Sequence, residues 1–139
     1  MGKCKIIIDT NLWISLLIGK RVSELRSLCN SNTVSVYICE ELKAEFVRIA
    51  SREKIRKYAT EEHILQTLEL METSCIAGTV RNIAVLSELR DVNDLYLLAF
   101  AETIQADYIL TGDKDLLVLQ QHRQTKIVTF NEFMAIYKS

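Results

Sequence analysis

The chain has 139 residues, enough for one domain with a core of its own and no need of covalent staples. Apolar residues make up 49% and charged residues 25%, with a net charge of −1, which excludes a histone-like or polyanion-coating protein and leaves only local basic patches open. No apolar run approaches the roughly 20 residues of a membrane span, and MGKCKIIIDT runs directly into a strand-like segment without a signal-peptide pattern, so no membrane and a cytoplasmic location are expected.

Cys4 to Ile8 (CKIII) is a short β-branched run followed by Asp9-Thr10-Asn11, which predicts a central strand buried on both faces and ending in a polar turn. Leu12, Ile14, Leu16 and Leu17 begin a helix that Gly19 breaks. Val22, Leu25, Leu28 and Cys29 supply the stripe of a second helix. Thr33 to Ile38 reads as another strand. Glu40 to Ser51 is a helix with Leu42, Phe46 and Ile49 on one face, and Glu45 falls on that same apolar face. A further helix follows Thr60, with Ile64, Leu65, Leu68 and Met71 as its stripe, while Ser74 to Val80 is ambiguous, a short strand with a turn at Gly78 being one reading. Val92 to Ile104 is an apolar helix, Asp107 to Leu110 a strand, Asp113 to Leu119 helical, Lys126 to Val128 a last strand and Phe130 to Tyr137 a last helix. Thr129 and Glu132 have the T-x-x-E spacing of a capping box for that final helix. Strands alternating with helices throughout predict an α/β domain around a largely parallel sheet. Ligands of such sheets sit beyond the carboxyl ends of the strands, the edge where Asp9 and Thr111-Gly112-Asp113 fall.

The four cysteines, Cys4, Cys29, Cys39 and Cys75, form no C-x-x-C pair, and His63 and His122 lie far from them in sequence. That spacing argues against a zinc site and for reduced, mostly buried thiols. The acidic residues carry more information, and each has a structural and a chemical reading. Asp91 with Asp94, and Asp113 with Asp115, suit helix caps with a dipole-favoured acid in the first turn. Asp9 ends an apolar run, where an ionised group is costly unless paired or metal-bound, though it too can cap the next helix. Glu45 can pair with Arg48 at i+3. Taken together, four acids from four segments at one sheet edge form the constellation of a hard-cation site. Mg2+ and Mn2+ prefer such carboxylate oxygens. Ions held this way activate water and neutralise charge on a phosphodiester.

The order strand–Asp9-Thr10-Asn11, a helix with Glu45, an acid opening an apolar helix, and strand–Thr111-Gly112-Asp113 resembles the PIN domain family. The resemblance runs from Lys5 to about Phe133 and is most specific in IIIDTNLWIS and DYILTGDKDLL. It implies a three-layer α/β/α single domain over residues 1–139 and a Mg2+- or Mn2+-dependent endoribonuclease, the toxin of a toxin–antitoxin pair. Carried over, the four acids are Asp9, Glu45, Asp94 and Asp113, with Asp115 as a further metal ligand and Asn11 and Thr111 in support. Asp94 is preferred to Asp91 because it adjoins the apolar LYLLAFA run, and Glu45 to Glu41 because it lies on the apolar face. The resemblance also implies RNA as substrate, a protein antitoxin as partner and a homodimer.

Five of the ten residues from Arg48 to Lys57 are basic: Arg48, Arg52, Lys54, Arg56 and Lys57. They read either as a solvated helix end or as a phosphate-binding stretch beside Glu45. Trp13, Tyr37, Tyr58 and Tyr96 read as isolated core or rim residues, and no base-reading motif is present. Two rival functions stay open: an Asp9-nucleophile phosphatase or phosphotransferase, which would pair with a second Asp where Asn11 stands, and a non-catalytic binding module whose acids only cap helices.

Overall fold

The isoleucines of CKIII lie in the middle of the sheet. The computed structural model describes residues 3–80 and 92–137, with 92–94 as backbone only. In β1 (Cys4–Ile8), Ile6, Ile7 and Ile8 are wholly buried, as expected of a strand covered on both faces. On one side β1 pairs with β2 (Val34–Ile38), which pairs with β3 (Ile76–Ala77). On the other it pairs with β4 (Tyr108–Leu110). Beyond β4 lie β6 (Thr125–Val128) and β5 (Gln121–His122), giving the order β3-β2-β1-β4-β6-β5. All pairings are parallel except the β5–β6 hairpin at the edge.

The helices are α1 (Thr10–Ile18), α2 (Val22–Cys29), α3 (Glu40–Ala50), α4 (Glu53–Arg56), α5 (Glu61–Ser74), α6 (Val92–Ile104), α7 (Lys114–Leu117) and α8 (Phe130–Tyr137). They flank the mostly parallel sheet as a three-layer α/β/α arrangement. Helices α1, α2, α3 and α5 pack on one another. Leu42, Phe46 and Ile49 of α3 are buried, as the stripe predicts. No helix among the described residues is long and apolar enough to cross a membrane.

Several boundaries differ from the sequence reading, each for a local reason. Helix α1 starts at Thr10 rather than Leu12, because the Asp9 carbonyl already accepts the Leu12 and Trp13 amides. The ambiguous 74–80 stretch supplies β3, with the Gly78 amide donating to the Ile38 carbonyl. Helix α7 is a single turn within the longer helix expected. Strand β5 escaped prediction because Gln-His carries no apolar pattern; Gln120 and Arg123, at φ 61° and 53°, turn the chain around it. The capping box of α8 is formed in full: the Glu132 amide donates to Thr129 Oγ1 (3.1 Å) and the Thr129 amide to Glu132 Oε1 (2.8 Å). Those bonds hold the exposed Glu132 carboxyl below its usual value. All four cysteines are free thiols; Cys29 and Cys39 are buried, Cys4 and Cys75 half-buried.

Gly78 sits where β3 meets α6. A Cβ there would stand 2.8 Å from Phe100 Cε1, a buried ring with no room to retreat. Gly78→Ala is therefore expected to destabilise by about 1–3 kcal/mol through overpacking. Urea unfolding checks this, and Phe100→Leu in the same chain should make the double variant more stable than the sum of the singles; additive losses would contradict the contact.

Candidate active site

Register alone brings the first two site residues together. Ile8 of β1 lies opposite Leu110 of β4, so the next residues, Asp9 and Thr111, leave adjacent strands side by side. The Asp9 amide donates to the Leu110 carbonyl at 2.9 Å. Strand order departs in opposite directions from β1 and β4, which makes the crevice beyond their carboxyl ends a topological switch point.

Asp9 is 8% exposed and Thr111 is wholly buried. Thr111 Oγ1 donates to Asp9 Oδ2 at 2.8 Å and accepts the Asp113 amide at 3.0 Å. Asp113 in turn is the N-cap of α7, its Oδ1 accepting the Asp115 amide at 2.9 Å. The capping reading of Asp113 is thus correct as far as it goes, and Asp115 enters through its backbone while its side chain is exposed. Burial pushes the Asp9 carboxyl above its usual range, the Thr111 hydrogen bond pulls it back, and the negative charges of Glu45 and Asp113 push it up again. Asp9 feels both of the other acids. Among the described residues, no lysine, arginine or histidine is ion-paired with it.

Glu45 projects from α3 with its side chain 15% exposed. Tyr96 of α6 donates its hydroxyl to Glu45 Oε1 at 3.0 Å, and Thr10 Oγ1 lies 3.4 Å from the same hydroxyl. The i+3 pair with Arg48 exists as well, at 3.7 Å to Oε2, with Arg48 itself 57% exposed. Glu41 is exposed, in keeping with its place off the apolar face. Asn11 is exposed in the first turn of α1 and, with Leu12, Ser15, Gly112 and Asp113, lines a cleft of about 260 Å³. Asp94 is the third residue of α6, and its side chain, like all of Asp91, lies outside the described residues. Arg48, Arg52, Lys54, Arg56 and Lys57 are all exposed along the end of α3 and around α4.

Among the described residues, no three His, Cys, Asp or Glu side chains stand close enough to share one ion. Asp9, Glu45 and Asp113 are instead each tied by their own hydrogen bond. Sequence reasoning missed Tyr96 and Thr10. The signal available was weak: Tyr96 carries the one hydroxyl in the apolar LYLLAFA run, and periodicity assigns its ring to the core, where it does lie at 8% exposure.

The switch-point crevice with its acids is that of an open-sheet α/β domain with a polar ligand edge. The chain belongs to the PIN domain family, whose profile matches residues 5–115. Proteins of this family are in general nucleases acting on nucleic acids, typically with divalent metal ions. No curated protein matches the chain.

The raised Asp9 carboxyl sets a pH signature. The folded chain keeps this proton to higher pH than the unfolded chain, so stability is lost as pH rises from the ordinary Asp value of about 3.9 through the raised one, and the loss is complete above it. Asp9→Asn, which removes the charge, should raise the melting temperature at neutral pH in chelator. The gap should narrow as pH falls toward about 4. A lower melting temperature for Asp9→Asn at neutral pH would contradict this.

Proposed function

We propose that the chain is an endoribonuclease that works with Mg2+ or Mn2+ on cytoplasmic RNA, with Asp9, Glu45, Asp94 and Asp113 as its acidic centre. The observation that carries this reading is the buried Asp9 carboxylate at the switch point, disfavoured by burial and by two other acids, with no paired cation among the described residues. The donors are all oxygens, the chemistry of a hard cation. A bound divalent ion would supply positive charge against the phosphodiester and lower the pKa of a water. The chain's own residues do the rest. Thr111 orients Asp9 and, through the Asp113 amide, links it to the head of α7. Asp115, two residues on in the first turn of α7, would be a further ligand, and Asn11 supports the centre from the cleft side. Arg48, Arg52, Lys54, Arg56 and Lys57 take substrate phosphates beside Glu45. A role as toxin, an antitoxin protein as partner and a homodimer extend the proposal on the strength of the family resemblance.

The test is cleavage of RNA by folded wild-type and Asp9→Asn protein with and without Mg2+. Losing even a supporting partner of a metal ligand costs roughly 10–100-fold, so loss of the ligand should cost more than about 100-fold. Unchanged, metal-independent cleavage would sink the reading. The basic stretch has its own readout. In chelator, Arg52→Gln with Arg56→Gln should flatten the slope of log affinity against log salt for a single-stranded RNA by about 1.4, or about 0.7 for each phosphate no longer neutralised. An unchanged slope would leave these residues merely solvated.

The Asp113 cap and the Glu45–Arg48 pair also suit a non-catalytic module whose acids serve the helices. Calorimetric titration separates the two readings: that module binds no divalent ion below the millimolar range.

A further inference from the structure

We infer that Tyr96 is the positioning residue for Glu45, a neutral hydroxyl that fixes the carboxylate at the site edge without cancelling its charge. This rests on the reading that Glu45 holds a divalent ion. The direction of the hydrogen bond follows from chemistry. An ionised carboxylate can only accept, so the Tyr96 proton goes to Glu45 Oε1 at 3.0 Å. The phenol oxygen is then left to accept from Thr10 Oγ1, at a long 3.4 Å. The result is a relay, Thr10 to Tyr96 to Glu45, parallel to the one from the Asp113 amide through Thr111 to Asp9. In both, an uncharged hydroxyl holds an acid.

The position of that hydroxyl is set by packing. Tyr96 is 8% exposed and is followed on α6 by Leu97, Leu98, Ala99, Phe100 and Ala101, all buried. The ring cannot swing without disturbing the core, so α6 presents a fixed donor to α3 across 51 positions of sequence. Arg48 is the competing holder, and it is the weaker one. It lies 3.7 Å from Oε2 and is 57% exposed, a solvated pair of small worth. A guanidinium would also offset the charge that a cation needs, whereas a phenol leaves it intact. Carboxylate ligands of metals are themselves hydrogen-bonded by such partners, and losing one weakens metal binding roughly 10–100-fold.

Tyr96→Phe keeps the ring and deletes the donor. Calorimetric titration of the intact chain with Mn2+ should show a dissociation constant raised roughly 10–100-fold. The Mg2+ concentration for half-maximal RNA cleavage should rise with it, while the rate at saturating Mg2+ is largely recovered. In a Glu45→Gln background, Tyr96→Phe should weaken Mn2+ no further, since there is no carboxylate left to hold. An unchanged dissociation constant in Tyr96→Phe, additive losses in the double variant, or weakening by Arg48→Gln in place of Tyr96→Phe would each overturn the role given to Tyr96, leaving the nuclease reading standing. A wild-type chain that binds no Mn2+ would overturn both.

Discussion

The hydrogen bond from Thr111 to Asp9 joins the ends of the two central strands, and the site depends on it. Both residues are buried, and each leaves its strand one position after a paired residue. A carboxylate in that position costs several kcal/mol unless something stabilises its charged form. The hydroxyl and the polar turn meet part of that cost. They also fix Asp9 at the strand end where the strand order reverses. The sheet therefore supplies the first acid by register, and the turn after β4 supplies its support and the second acid, Asp113.

The electrostatics of this edge work against folding. Asp9 is pushed toward its neutral form by burial and by the charges of Glu45 and Asp113. Its support comes from the Thr111 hydroxyl and the Asn11 backbone, which hold geometry but bring no opposite charge. A protein built only for stability would be expected to place a basic side chain there. The basic residues instead lie exposed along the end of α3 and around α4, with Arg48 alone paired to Glu45. Under the proposed function a divalent cation, binding the folded state alone, would offset this like charge.

The sheet and most of its helices were legible in the sequence because their signals are local and redundant. CKIII, the stripe of Leu42, Phe46 and Ile49, and the Thr129–Glu132 capping box each describe one element and one environment. Edge strand β5 was not legible, since Gln-His pairs through its backbone and buries little. The site was legible in part. Asp9 and Glu45 stand out because acids on apolar runs need a reason, whereas Asp113 reads equally well as a helix cap and joins them only through the shared sheet edge and the family's pattern. The link from Thr111 to Asp9 was expected only from the family's pattern, and its physical cause is the pairing register, which no local pattern reports. Tyr96 reads as core or rim, and its ring lies in the core; what the sequence could not show is that its hydroxyl meets an α3 carboxylate 51 residues away. The choice between Asp91 and Asp94 concerns side chains outside the described residues.

Membership of the PIN domain family accounts for the fold and for a nuclease-type activity. Under the proposed function, the acids at the β1–β4 crevice gather as one cation-binding group. Crystals soaked in Mn2+ and measured for anomalous scattering test it most directly. An anomalous peak is expected at the crevice, with the side chains of Asp9, Glu45, Asp94 and Asp113 drawn in around it and Tyr96 still bonded to Glu45. An anomalous map with no peak at that crevice, from crystals in which Mn2+ binds elsewhere or not at all, would contradict it.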